Sequence, residues 1–388
     1  MNNFYFYNPT KVYFGNNCIK DYFADSMAGY KRIMIAYGGG SVKKNGILDE
    51  LTDILKENGK DIIEFGGIMS NPTYKKVLEG AELVKKEKID LILGVGGGSV
   101  MDCCKVISLA AGYDGDVWDD FIARKGKVNF DMVPVAVVVT SFGTGSECNG
   151  GAIITNEELN IKTGRDYVEC NPKVAFLNPE YTYSVPDKQI ASGAFDTLSH
   201  LMETYFSEPD ENNVSDDIIE ALMRNVIINL RNALNKKNDY NAHSNLMWDA
   251  TMAENKITML GKRTDFECHQ IEHQIGAYTS CNHGQGLGII HPTYYRHIYS
   301  ANVSKFARFA QNVWMIDRET MTDEELAVKG IDALENFIKE IGLPAKLRDI
   351  AELNEKQLRE IAASCNISRG AYRQMTHEEI LEILQECY

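Results

Sequence analysis

Asp90-Leu91-Ile92-Leu93-Gly94-Val95-Gly96-Gly97-Gly98-Ser99-Val100-Met101-Asp102 reads as a buried strand that breaks into a glycine turn and restarts as a helix. An apolar run bounded by glycine suits a strand covered on both faces, and passage from strand to helix through such a turn is the mark of a βαβ unit. Outward from it, Lys31–Tyr37, Asp61–Phe65, Val133–Thr140 and Val174–Asn178 are further strand candidates, and Tyr74–Lys86 and Met101–Ala111 have helical character. The alternation predicts a doubly wound, mostly parallel sheet, an α/β nucleotide-binding domain. Two more glycine turns follow strands: Tyr37-Gly38-Gly39-Gly40-Ser41 and Ser141-Phe142-Gly143-Thr144-Gly145-Ser146-Glu147. Glycine lets backbone amides approach an anion closely, and Ser99–Asp102 would open a helix toward a diphosphate. None of the three turns satisfies G-x-G-x-x-G; in Gly94-Val95-Gly96-Gly97-Gly98-Ser99, Ser99 stands where the last glycine should be. A single turn is as well explained by a tight bend, but three at strand ends favour a ligand at the carboxyl edge of one sheet.

Beyond Asn178-Pro179 and Val185-Pro186 the texture changes, and apolar residues recur every three and four positions. Ile219, Leu222, Met223, Val226, Leu230 and Leu234 form one helical stripe. Phe306, Phe309, Ala310 and Val313 form a second, and Ala327, Ile331, Leu334 and Ile338 a third. Thr376-His377-Glu378-Glu379 reads as a capping box opening a last helix, and Gly342 with Pro344 ends an earlier one. The expected organisation is a dinucleotide-binding α/β domain over residues 1–181 and an all-α metal-binding and catalytic domain over 182–388.

The 388 residues suffice for such a pair, and 44% hydrophobic with 24% charged residues is ordinary for a folded globular chain. A net charge of −15 repels phosphate backbones and anionic lipid, so neither nucleic acid nor membrane is an expected partner. The apolar stretch around Val133–Val139 is interrupted by Pro134 and falls far short of the ~20 residues that span a bilayer. The start, Met1-Asn2-Asn3-Phe4-Tyr5, has no basic-then-apolar pattern of an export signal, which makes the cytoplasm the expected location. Nine cysteines without a CxxC pair read as reduced thiols.

Spacing among the histidines suggests a metal. Asp196 and His200 stand i,i+4, His269 and His273 repeat that interval, and His283 follows in Asn282-His283-Gly284. Together they offer one carboxylate and up to four imidazoles, a set suited to zinc, iron(II) or a similar divalent ion with a position open to substrate. Spacing alone does not choose the ligands, and one i,i+4 pair by itself is as readily a surface or core pair. His291 and His297 lie on an apolar helix-like stretch and read as structural, while His243 and His377 read as surface residues. Cys268 and Cys281 adjoin the histidines without a partner cysteine at ligand spacing. An NAD site usually places a carboxylate beyond an early strand. Here Gly38-Gly39-Gly40-Ser41 with Lys43 and Lys44 stands instead, which favours a 2′-phosphate and hence NADP(H) over NAD(H), unless both lysines are merely solvated.

Taken in order, Tyr37–Gly46, Gly96–Asp102, Thr140–Glu147 and the histidine block resemble the iron-containing (group III) alcohol dehydrogenase family over essentially the whole chain. The likeness is strongest to its butanol dehydrogenase-like, NADPH-preferring aldehyde reductase branch. The resemblance implies metal ligation by Asp196, His200, His269 and His283, with His273 unbound but near the reacting carbon as the catalytic candidate. It implies that Gly97, Gly98 and Ser99 embrace the cofactor diphosphate with Asp102 near the nicotinamide ribose. Thr140, Ser141, Thr144 and Lys162 are further implied cofactor contacts, and Gly38, Gly39 and Ser41 match the branch that accepts a 2′-phosphate. The implied activity interconverts short-chain aldehydes and primary alcohols by hydride transfer, with iron or zinc as the ion, in a homodimer. The ion is expected to face the nicotinamide across the gap between the two halves. The rival readings are a metal-dependent lyase similar to 3-dehydroquinate synthase and a non-catalytic metal- or nucleotide-binding protein. Asp196 with three histidines argues against the first, whose ligand set is glutamate with two histidines.

Overall fold

The run Ile33-Met34-Ile35-Ala36 has no exposed surface at any position, nor has Leu91-Ile92-Leu93. Central strands of a parallel sheet are covered on both faces, so their sequences lose the in-out alternation and become continuous apolar runs. These strands belong to a computed structural model that describes residues 1–210, 213–279 and 281–388. It divides into two units, Tyr7–Val185 and Met1–Phe6 with Pro186–Tyr388. The division falls just before Pro186, whose ring-fixed φ of −62° caps the next helix, rather than after residue 181. The first six residues group with the helical unit.

The first unit runs β1 (Lys11–Phe14), α1 (Cys18–Met27), β2 (Arg32–Tyr37), α2 (Ser41–Lys44), α3 (Ile47–Glu57), β3 (Asp61–Phe65), α4 (Tyr74–Glu87), β4 (Leu91–Gly96), α5 (Gly98–Ala111) and β5 (Val135–Val139). A hairpin of β6 (Gly151–Asn156) and β7 (Ile161–Asp166) follows, then β8 (Val174–Leu177). The six-stranded sheet has the order β1-β8-β5-β4-β2-β3 with every pair parallel, and β6-β7 stands apart as an antiparallel pair. From β2 the chain moves outward to β3, then crosses back to β4 and continues to β5. The winding direction therefore reverses between β2 and β4, and the carboxyl ends of strands flanking such a reversal form a crevice for ligands. Phe23, Ile35, Leu51, Leu93, Val138 and Phe176 pack in the core on one face of the sheet.

The second unit is helical: α6 (Asp187–Tyr205), α7 (Val214–Asn235), α8 (Tyr240–Glu254), α9 (Glu267–Thr279), α10 (His283–Ile298), α11 (Val303–Asn312), α12 (Asp323–Glu340), α13 (Glu355–Ser364) and α14 (His377–Cys387). The three apolar stripes lie on α7, α11 and α12, and Thr376 with Glu379 closes the expected capping box on α14. Helix α6 is buried along nearly its whole second half, Ala194 to Tyr205, and packs against α7, α8 and α10. Among the described residues no helix is long and apolar enough to cross a membrane. His243 is not a surface residue but 1% exposed on α8, because its position faces the packed interior of the helical unit, and burial lowers its basicity.

Candidate metal centre and dinucleotide cradle

Each glycine turn sits at a strand's carboxyl end: Gly38–Ser41 after β2, Gly97–Ser99 after β4 and Thr140–Thr144 after β5. The last two interlock. A Cβ on Gly97 would stand 2.2 Å from the Ser141 hydroxyl oxygen, and one on Gly98 would stand 2.4 Å from the Thr144 methyl. Only hydrogen fits there, so bare backbone amides line that part of the edge. The Thr140 amide donates to the Gly96 carbonyl at 3.0 Å, locking β5 to β4 at the turn. The Ser99 hydroxyl donates to the Ser70 carbonyl. Beside Gly39 and Gly40 a Cβ would meet nothing within 4 Å, so the turn after β2 is open.

Asp102, one turn into α5, has both oxygens engaged: Oδ1 accepts from the Ser146 hydroxyl at 2.6 Å and Oδ2 from the Ile153 amide at 2.9 Å. One turn further, the fully buried Lys105 ammonium donates to Ser146 Oγ, Asn149 Oδ1 and the Gly151 carbonyl at 2.8, 3.2 and 2.7 Å. Burial weakens its hold on the proton against the field of Asp102. These two residues tie α5 to the hairpin, and Lys162 lies buried on that hairpin opposite Thr155. Sequence reasoning passed over Lys105, because a lysine inside an apolar helix has no spacing signature.

In the helical unit, α6 projects Asp196 and His200 one turn apart, α9 projects His269 and His273 likewise, and Asn282 caps α10 so that His283 opens it. Asp196 Oδ1 is 3.8 Å from His200 Nδ1, 3.5 Å from His269 Nε2 and 3.5 Å from His283 Nε2. Asp196 Oδ1, His200 Nδ1 and His269 Nε2 are buried and have no hydrogen-bond partner. Buried polar atoms are rarely left so, and three converging within 4.8 Å suit a cation that all of them can reach. The donor set thus fits the divalent ion expected from the sequence. His273 stacks on His283 with centroids 5.5 Å apart. Ligand atoms of Glu272, His273 and His283 also group within 4.8 Å.

Two carboxylates that sequence reasoning missed hold the imidazoles from behind. Glu203 Oε2 pairs with His269 Nδ1, while its Oε1 accepts from the amides of Cys268 at 2.6 Å and His269 at 3.3 Å. Glu272 Oε2 pairs with His283 Nδ1. A carboxylate at Nδ1 fixes the proton there and leaves the Nε2 lone pair facing Asp196. Burial would raise Asp196, but His200, His283 and His269 outweigh it and hold its carboxyl below the usual range. Burial pulls His200 down to about 3, so its ring is neutral at physiological pH. For His269 burial is overcome by Glu203 and Asp196, which raise its basicity. His291, read as structural, pairs through Nε2 with Ser199 Oγ at 2.6 Å under α6.

A parallel sheet with glycine-lined strand ends, carried on the same chain as a carboxylate–histidine cluster, defines a class of oxidoreductases that join a dinucleotide to a metal. The chain belongs to the iron-containing alcohol dehydrogenases: the profile of that family matches residues 9–179, and that of the Fe-containing alcohol dehydrogenase family's C-terminal part matches residues 190–388. It is therefore an enzyme of the alcohol dehydrogenase type, which displaces the lyase and non-catalytic readings. It is 37% identical over 385 residues to the NADH-dependent butanol dehydrogenase A of Clostridium acetobutylicum, covering 98% of each chain. Against the NADPH-dependent aldehyde reductase YqhD of Escherichia coli the identity is 34%, over 90% of this chain and 89% of that one. The crystal structure of NADH-dependent butanol dehydrogenase A from Thermotoga maritima superposes with a TM-score of 0.93 at 37% identity, covering 100% of this chain and 99% of that one.

Proposed function

We propose that the protein interconverts short-chain aldehydes and primary alcohols by hydride exchange with a nicotinamide dinucleotide, NADP(H) in preference to NAD(H). In this reading Asp196, His200, His269 and His283 hold one divalent ion, iron(II) or zinc. The observation that carries it is the set of buried, unpartnered ligand atoms on Asp196, His200 and His269. The ion, when bound, supplies Lewis-acid polarisation of the substrate oxygen. Glu203 and Glu272 keep the His269 and His283 rings in the tautomer that presents Nε2. Burial of Asp196, His200 and His269 keeps competing water away from the ligand atoms. His273, one helical turn beyond His269 and stacked on His283, is positioned to deliver a proton to the oxygen of the nascent alcohol.

In the sheet unit the amides around Gly97, Gly98 and Ser99 hold the diphosphate with Asp102 near the nicotinamide ribose, and Thr140, Ser141, Thr144 and Lys162 make further cofactor contacts. The turn at Gly38, Gly39 and Ser41 takes the adenosine ribose, and its lack of a side-chain carboxylate is what supports a 2′-phosphate there. Hydride exchange requires the nicotinamide to reach the substrate carbon at near-attack distance. A cytoplasmic homodimer is the form we propose, two-fold assemblies being the commonest. The test is metal analysis of the purified protein joined to a screen of aldehydes with NADPH and NADH in parallel. About one equivalent of iron or zinc per chain, with aldehyde-dependent loss of reduced-nicotinamide absorbance, is expected. Metal-replete protein that oxidises neither cofactor with any aldehyde would sink the reading.

A further inference from the structure

Lys43, the residue expected to greet a 2′-phosphate, already has a partner. Its ammonium lies 2.8 Å from Glu64 Oε2, and the same oxygen accepts from the Tyr37 hydroxyl at 2.7 Å. The ammonium also sits 4.9 Å from the centre of the Tyr37 ring. Three elements meet here: Tyr37 ends β2, Glu64 lies on the neighbouring β3 in register with Ile35, and Lys43 follows the open turn Gly38–Ser41. The Tyr37 ring lies against Gly66, where a Cβ would stand only 2.7 Å from its Cε2, so the ring fits there only beside a glycine. Lys43 and Glu64 side chains are each 50% exposed, so the pair borders solvent at the mouth of the turn. The Lys43 and Tyr37 hydrogen bonds hold the Glu64 carboxyl below the usual carboxylate range, and it is charged at neutral pH.

A carboxylate in this place acts oppositely on the two dinucleotides. Toward a ribose 2′-hydroxyl it is neutral or an acceptor. Toward a 2′-phosphate it is a like charge that also occupies the nearest cation, and capture of the phosphate by Lys43 must first open the Lys43–Glu64 pair. An exposed ion pair is weak enough to be opened, so the effect is a bias and not a block.

We propose that Glu64 is a specificity-determining residue that restrains NADPH binding by holding Lys43, and so sets the balance between NADPH and NADH in this enzyme; this rests on the reading of Gly38–Ser41 as the adenosine-ribose site. Glu64→Gln keeps an acceptor for the Tyr37 hydroxyl and removes the charge. It is expected to lower the NADPH KM about fivefold, the size of one charge interaction near water, while the NADH KM and both kcat values move less than about twofold. Lys43→Met is expected to raise the NADPH KM, and Lys43→Met combined with Glu64→Gln to cancel the gain. The NADPH benefit of Glu64→Gln should also shrink with added salt. If Lys43→Met weakens NADPH while Glu64→Gln leaves the NADPH-to-NADH ratio of KM unchanged, or shifts both cofactors alike, the restraint is refuted and the ribose site stands. Should Lys43→Met and Gly39→Asp both leave the NADPH KM untouched, the ribose site itself is misplaced and the proposal falls with it.

Discussion

Glu203 touches the α9 start through both of its oxygens, one on the Cys268 and His269 amides and one on His269 Nδ1. It thus satisfies amides of the helix's first turn and orients the ring that the helix carries. Glu203→Gln keeps an oxygen for the amides and loses the charge on Nδ1. Its metal affinity should fall about 10- to 100-fold by competition with a chelator, with circular dichroism unchanged. His269→Ala, which removes the ligand itself, should abolish metal retention and turnover together; metal retained at wild-type level would remove His269 from the set. The sequence already held a trace of Glu203, since Asp196, His200 and Glu203 recur at intervals of four and three and share a helix face. It went unread because an acid three residues past a histidine is indistinguishable from a solvated one until the fold shows that it is fully buried.

At the scale of elements, legibility followed burial. Strands β2, β4, β5 and β8 are apolar runs because neighbours cover both faces, so their positions could be read to within a residue or two. Strand β1, Lys-Val-Tyr-Phe at the sheet's edge, is half exposed and carries no such signature, and its pairing with β8 spans most of the unit's length in sequence. The glycine turns were legible as turns, but not that the two after β4 and β5 interlock. That contact makes a paired prediction. Gly98→Ala drives a methyl against Thr144 and should cost about 1–3 kcal/mol of stability and raise the KM for either dinucleotide. Gly39→Asp enters open space, so its thermal midpoint should stay close to wild type while the NADPH KM rises through charge alone. Thermal melts and initial rates on the two variants separate packing from charge; equal destabilisation by both would contradict the geometry.

For the molecule as a whole, the surplus of acids behind the net charge of −15 is not spent entirely at the surface. Asp249 on α8 is 2% exposed, with Asn225 of α7 donating to both carboxylate oxygens at 3.0 Å. Composition counts this acid like any other, and only packing reveals that burial pushes it from 3.8 up to about 7. The folded state therefore keeps a proton that the unfolded chain has already released across the interval from about 4 to 7. Stability falls with rising pH wherever the native state binds more protons, so this site contributes nothing adverse below that interval and its full cost above it, at most about 4 kcal/mol. Asp249→Asn keeps an acceptor for Asn225 and cannot ionise. Relative to wild type its urea midpoint should be similar near pH 4.5 and higher at pH 8, the gap opening steadily between. The site lies on helices that carry none of the proposed ligands, so metal content should stay at the wild-type value. A constant offset at every pH would mean that packing, and not the charge on Asp249, sets the difference.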